Sequence, residues 1–353
     1  MLHLLPVVST FACHRRLFQS RMSSIHRRIN SYHNLLNSPL HADSYRIIGV
    51  SFTMHLSELH LLLSYTCTYE CDHCFVHSSP EASGTMTMAQ VCDAITQAAG
   101  IDTVTGVAFE GGEPFLFYPI LLAGVRHARK LGLNVSVVSN GYYGISVEDA
   151  VEWLRPLAKS NVSLSLSDDD FHNPDGDADS PAAHVLTAAR QLGMNVDTLC
   201  IEFDPKEMKN HVRGKPILGG GVRLRGRAAE KLIDDRLPRQ PWDSFDECPD
   251  EDFVDLGRVH LDPYGNLYTC QGVVIGNLNE APLDVILKEY DPDSQPVIGP
   301  LLRGGPAALV RAFDLPLKGE YVDACHLCYL ARQMLRQQFP DHLAPAQVYG
   351  QTE

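Results

Sequence analysis

From Met54 onward, short apolar runs of strand character alternate with longer segments whose apolar residues recur every three to four positions. The pattern predicts strands over 56–63, 104–109, 134–139, 162–167, 196–203 and 222–226, with helices over 86–99, 117–131, 147–158 and 181–192. Ser146 stands as N-cap of the third helix with Asp149 three residues on, a variant of the capping box. Strands that alternate with helices build a mostly parallel sheet with crossover helices, so the predicted class is α/β. The run Ser163-Leu164-Ser165-Leu166-Ser167 is strictly alternating, which puts its serines on one face. Residues 232–247 are rich in Pro, Arg and Asp and read as a linker. Beyond them Gly257–Asp262 reads as a strand, Asp262-Pro263-Tyr264-Gly265-Asn266 as a hairpin turn and Leu267–Cys270 as the return strand.

Composition narrows the class further. The 353 residues are 44% hydrophobic and 20% charged, which is ordinary for a globular chain. No run approaches the eighteen or so consecutive apolar residues of a membrane-spanning helix. Forty-three acids against 29 bases give a net charge of −14, a poor match to nucleic-acid backbones, so neither nucleic acid nor membrane is an expected partner. Residues 1–53 differ: six arginines (Arg15, Arg16, Arg21, Arg27, Arg28, Arg46) face one acid, Asp43, with no helix or strand period. That segment reads as an unstructured leader, either an organelle-targeting peptide or a stretch upstream of a true start at Met54. The strand that begins directly after Met54 favours the second reading and a cytoplasmic location. Leu4–Val8 is too short, and lacks the preceding basic run, for a secretory signal.

Ten cysteines in a chain of this size without a secretory signal do not suggest a disulfide framework. Seven fall into two sets. The first is Cys67-x₃-Cys71-x₂-Cys74; the second is Cys248, Cys270 and the pair Cys325-x₂-Cys328. Three thiols within eight residues are incomplete for structural zinc, which takes four ligands, unless His73 or His77 completes the set. A [4Fe–4S] cluster on three thiolates keeps one iron open to a ligand. Four thiolates in the second set would close either a tetrahedral zinc or a second cluster.

Cys67-x₃-Cys71-x₂-Cys74, directly after the apolar strand 56–63, resembles the signature of the radical S-adenosylmethionine (SAM) superfamily. The resemblance extends from residue 55 to about 335. It implies a partial (β/α)₆ barrel over 54–231. It also implies a [4Fe–4S] cluster whose open iron is chelated by SAM, and reductive cleavage of SAM to a 5′-deoxyadenosyl radical that abstracts hydrogen from a substrate. His73 stands where the family usually has Phe, Tyr or Trp beside the adenine, with Phe75 as a second aromatic candidate. Gly111-Gly112-Glu113-Pro114 is similar to the family's Gly-Gly-Glu-Pro motif, whose backbone and Glu hold the SAM amino group. The same likeness puts Ser139, Asn140, Ser165 and Ser167 near the cofactor and Arg225 on its carboxylate, although the family's Gly-x-Ile-x-Gly-x-x-Glu pattern is not reproduced around Arg225.

Gly265-x₄-Cys270 followed by Cys325-x₂-Cys328 resembles the auxiliary-cluster extension called SPASM or, when shortened, twitch. Four cysteines suit the twitch form with one further [4Fe–4S] cluster over 248–335, which leaves 336–353 as a C-terminal tail. His172, beside Asp168-Asp169-Asp170, and Cys200, within the fifth strand, are the catalytic candidates; a thiol at Cys200 would return a hydrogen atom to the substrate. The implied activity is oxidation, epimerisation or rearrangement of a small substrate, with a flavodoxin or ferredoxin as reductant. Modification of a ribosomal peptide is the alternative, and a non-catalytic zinc or Fe–S protein is the alternative of another class. Residues 1–53 do not read as the leader-peptide-binding domain that peptide-modifying enzymes commonly carry.

Overall fold

The computed structural model describes residues 55–351 apart from 175, 178, 204–212 and 214–218, so the expectations for 1–53 lie outside the described residues. Strand β1 (Leu56–Ser64) is followed by α1 (Met88–Ala99), β2 (Gly106–Gly111), α2 (Tyr118–Lys130), β3 (Asn134–Ser139), α3 (Val147–Ala158), β4 (Ser163–Ser167), α4 (Pro181–Gln191), β5 (Val196–Glu202) and β6 (Gly219–Gly221). These six strands lie side by side in chain order, each parallel to the next. Sequential parallel pairing through helical crossovers is the order of a partial (β/α)₆ barrel. The caps follow the local sequence. Thr87 and Gln90 form a reciprocal capping box on α1, and Ser146 Oγ accepts from Asp149 N–H at the start of α3.

One strand differs from its expected place. The extended run read over 222–226 ends at Gly221; beyond it the backbone turns, with Arg225 N–H donating to Arg223 C=O at 2.8 Å and Gly226 at φ +60°. Gly226 is required there because a Cβ would stand 2.5 Å from Phe75 Cα.

The second half of the chain opens with α5 (Ala228–Lys231) and β7 (Gln240–Pro241), and β7 later pairs with β11 (Glu320–Tyr321). Strand β8 (Gly257–Leu261) leads through the expected hairpin turn to β9 (Asn266–Tyr268), then to β10 (Val274–Asn277), α6 (Leu283–Glu289), α7 (Ile298–Ala312) and α8 (Ala324–Leu335). β8 pairs parallel with β1, on the side away from β2, so nine of the eleven strands among the described residues form one sheet in the order β10-β9-β8-β1-β2-β3-β4-β5-β6. Residues 54–353 form one compact unit. Residues 336–353, expected as a tail, include Leu343, Val348 and Tyr349 in the core, and Gln347 Nε2 donates to His77 C=O at 2.7 Å.

The core explains why β1 is almost wholly apolar. Leu59, Leu61 and Leu63 are fully buried against helices, as expected of a strand covered on its outer face. The even positions Glu58, His60 and Leu62 line a cavity on the other face. A bulge between Leu62 and Ser64 shifts the β1–β2 register just before the last pair, Ser64 with Gly111, where the first cysteine segment leaves the sheet. Among the described residues no helix is long and apolar enough to cross a membrane.

Candidate functional site

A cavity of about 440 Å³ opens over the inner face of the sheet. Its lining includes Cys67, Cys71 and Cys74, Gly111 and Gly112, Ser139 and Asn140, Ser165 and Ser167, and His73, Phe75, His172 and Arg225. All of these were expected from the sequence, and the fold brings them to one cavity, all but Ser165 of mid-β4 lying at or beyond the C-terminal strand ends where α/β barrels carry their chemistry.

The cysteine segment is held from several sides. Cys67 N–H donates to Ser79 C=O, Tyr69 N–H to Cys67 Sγ at 3.4 Å and Ser78 N–H to Cys74 Sγ at 3.3 Å. Buried Arg227 donates to Cys71 C=O at 2.7 Å and to Ser78 C=O at 2.8 Å. The sequence reading passed over Arg227; its signal was only its place after Gly226. Burial pushes the Cys67 thiol up to about 11 and the Cys71 thiol up to about 12, with neighbouring sulfurs and carboxylates adding to the shift. Thiols so placed become thiolates on binding a metal, whose charge replaces the proton.

The Gly-Gly-Glu-Pro turn is bonded to this segment. Gly112 N–H donates to Ser64 C=O at 2.6 Å and Glu113 N–H to Thr66 C=O at 3.0 Å. A Cβ on Gly112 would stand 2.1 Å from Thr66 C=O, and Gly111 adopts φ +124°. The two glycines therefore let the turn pack against the cysteine segment. Glu113 does not line the cavity. Its fully buried carboxylate accepts from Phe115 N–H, Ser139 Oγ–H and Asn140 N–H at 3.0, 3.0 and 2.8 Å. Burial outweighs these bonds and raises its pKa to about 7. Through these bonds Glu113 holds Ser139 and Asn140, which do line the cavity. Asn140 Nδ2 in turn donates to Thr68 Oγ1 at 3.0 Å and approaches Cys67 Sγ at 3.5 Å.

Four other candidates remain. His172 Nδ1 lies 2.7 Å from Asp169 Oδ1 and its Nε2 3.4 Å from Cys71 Sγ, which ties it to the first cysteine set. Cys200 is corrected: β5 turns Asp197, Leu199 and Ile201 into the cavity, so alternation sends Cys200 to the opposite face. Arg225 lines the cavity but does not present a free fork to it; Nη1 donates to Cys270 Sγ at 2.8 Å and the guanidinium lies 5.3 Å over the Phe75 ring. The turn after Gly221 swings it toward the second cysteine set. His73 stacks on Phe171 at 4.3 Å, and its buried Nδ1 has no partner.

The second set lies behind Arg225. Cys248, Cys270, Cys325 and Cys328 line a small cavity with Arg225 and Arg332. Cys325 and Cys328 are one turn apart on α8, whose N-cap Asp323 accepts from His326 N–H at 2.7 Å. Burial lowers the affinity of Arg225 for its proton, but the Cys270 and Cys325 sulfurs outweigh it and the guanidinium stays charged. Arg332 Nη1 donates to Gln271 C=O at 3.0 Å while its buried Nε has no partner. Two buried cations and an unused donor around four thiols fit a dianionic cluster ligated by four thiolates. Of the two candidate fourth ligands for zinc, His73 and His77, the latter lies 3.0 Å from Tyr329 Oη.

The sequence reading missed a third group in the cavity wall. His60, Glu110 and His260, with Glu58, Arg258 and Gln271, line the end formed by β1, β2 and β8. Glu58 and His60, two apart in an apolar strand, were the visible signal.

Residues 61–201 match the sequence profile of the Radical SAM superfamily. YydG of Bacillus subtilis (strain 168), described as a peptide biosynthesis protein, is 24% identical over 225 residues, 63% of this chain and 69% of YydG. Among solved structures, anSMEcpe with AdoMet and a Cp18Cys peptide bound superposes with a TM-score of 0.41 at 17% identity, covering 67% of this chain and 80% of that one. Streptococcus suis SuiB bound to its precursor peptide SuiA gives 0.39 at 15% identity, covering 67% of this chain and 65% of SuiB. With the cysteine motif, the glycine turn and the parallel sheet assembled around one cavity, residues 61–201 of this chain carry a radical SAM domain.

Proposed function

We propose that this radical SAM enzyme removes a hydrogen atom from a residue of a peptide held in the 440 Å³ cavity, with Cys67, Cys71 and Cys74 as the ligands of the SAM-binding [4Fe–4S] cluster. The observation that carries the reading is the shared wall: the first cysteine set opens onto this cavity, while Arg225 and Gln271 line it and adjoin the second set. The similarity to a peptide biosynthesis protein favours a peptide over the small metabolite expected from the sequence. When bound, the cluster and SAM supply a carbon radical able to take hydrogen from an unactivated C–H bond.

The protein's own groups then have distinct tasks. Arg227 and the Gly111–Gly112 turn fix the cysteine segment. Glu113 orients Ser139 and Asn140 toward the same wall. His73 and Phe75 offer flat apolar surface for an adenine, while Ser165 and Ser167 offer hydroxyls. The Cys248–Cys270–Cys325–Cys328 set, closed by four thiols, suits electron transfer rather than substrate ligation. A flavodoxin or ferredoxin in the cytoplasm completes the reading as reductant.

The test is anaerobic turnover with dithionite, SAM and deuterated peptides encoded in the neighbouring reading frames. Deuterium recovered in 5′-deoxyadenosine from a peptide is the expected result. Transfer from a labelled small metabolite, with none from any peptide, overturns the peptide assignment.

A further inference from the structure

At one end of the cavity three strands bring two imidazoles and a carboxylate together. His60 on β1 and His260 on β8 are register partners, with ring centroids 4.9 Å apart edge to face. Glu110, at the end of β2, reaches both: Oε1 lies 2.5 Å from His260 Nδ1 and Oε2 3.2 Å from His60 Nδ1. The same ring nitrogen of each histidine therefore converges on one carboxylate. One donor atom from each of the three residues lies within 4.8 Å of the other two. His60 is 6% exposed and His260 3%.

The surroundings point to a ligand at this convergence. His60 Nε2 lies 3.3 Å from Glu58 Oε2, the carboxylate–histidine pairing that orients a metal-binding imidazole. The Gln271 amide nitrogen lies 3.5 and 3.4 Å from the two ring nitrogens of His260, and its buried Oε1 has no partner. Turning that amide over puts an oxygen acceptor beside the ring in place of the nitrogen. Arg258 pairs with Glu251 at 3.2 Å, and Glu110 sets a buried carboxylate between the two rings.

We propose that His60, Glu110 and His260 form a binding site for a divalent transition-metal ion, with Gln271 as a further oxygen donor and the remaining positions facing the cavity. Two imidazoles and one carboxylate, with no thiolate, select zinc, ferrous iron or a similar ion rather than calcium or an Fe–S cluster. Open positions on such an ion would take a carbonyl or carboxylate oxygen of the substrate. The site shares no ligand with either cysteine set, and the inference does not depend on the substrate being a peptide.

The experiment is equilibrium dialysis of the anaerobically reconstituted holoenzyme against zinc, with iron and sulfide measured in the same samples and X-ray absorption recorded at the zinc edge. The expected result is one zinc per chain at unchanged iron and sulfide, with only nitrogen and oxygen neighbours at about 2.0–2.1 Å. Glu110→Gln and His260→Ala should each weaken zinc binding at least about 100-fold, and Glu58→Gln by about 10-fold. Failure of the wild type to retain zinc at about 100 μM overturns the proposal, as does sulfur scattering near 2.3 Å, which places zinc on cysteines. Undiminished retention by Glu110→Gln also overturns it. Should that variant fail to keep its clusters, the wild-type zinc edge and Glu58→Gln still decide.

Discussion

Seven cysteines in two sets share one side chain and differ in what surrounds them. Cys67, Cys71 and Cys74 stand in the wall of a 440 Å³ cavity, and the thiols of Cys67 and Cys71 are raised to about 11 and 12 by burial. Cys248, Cys270, Cys325 and Cys328 close on one another in a small cavity with the Arg225 and Arg332 guanidiniums. A set of three beside empty space invites an external ligand; a set of four among fixed cations does not. In the proposed reading, ligand number and surroundings thus separate a reacting centre from an electron carrier, where residue type alone does not.

The sharpest way to break this contrast is Cys71→Ala. It should abolish SAM cleavage, at least about 10³-fold, while about half of the iron remains as the second cluster. Iron analysis and 5′-deoxyadenosine formation check both halves. Arg225→Gln acts on the other side: loss of a buried cation against Cys270 should cost roughly 3–5 kcal/mol and deplete iron at the second site first. SAM cleavage per remaining first cluster should persist, as single-turnover assays would show.

Gly112→Ala forces a Cβ to within 2.1 Å of Thr66 C=O. It should cost about 3 kcal/mol in anaerobic denaturant unfolding and weaken SAM binding about tenfold by displacing the cysteine segment.

Glu113→Gln probes the buried carboxylate through pH. Its folded pKa of about 7 lies above the ordinary 4.5, so the folded state holds the proton more tightly. The associated stability is full below pH 4.5 and is lost as pH rises through 7. Between pH 5.5 and 8 the wild type should lose about 2 kcal/mol relative to the variant, read as a difference in slope of unfolding free energy against pH. The smallest effect is expected from Cys200→Ser. With its side chain on the face away from the cavity, turnover should change less than about twofold; a collapse in turnover would return Cys200 to the chemistry.

These regions were not equally legible in the sequence. The first set is contiguous, so spacing alone exposes it, and the βα alternation fixes strands β1–β5 to within two residues at either end. The 222–226 segment misleads because Val222 and Leu224 are buried like strand residues while the chain is already turning toward Gly226. Arg225 therefore reaches Cys270 instead of the expected cofactor carboxylate. The union of β8 with β1 depends on pairing across some 200 residues, which no local pattern encodes. His60, Glu110 and His260 meet only because of that pairing, so the group is invisible without the fold. Cys200 was readable: Asp197, Leu199 and Ile201 share one face by simple alternation, and an even-numbered neighbour cannot join them.

The central claim is that the first set holds a cluster open to SAM and the second a closed one. Electron paramagnetic resonance of the dithionite-reduced holoenzyme, with and without SAM, tests it most directly. One of two [4Fe–4S] signals should shift on adding SAM, and Cys71→Ala should keep only the signal that does not. A wild-type spectrum indifferent to SAM, or a SAM-dependent shift that survives in Cys71→Ala, would contradict the account.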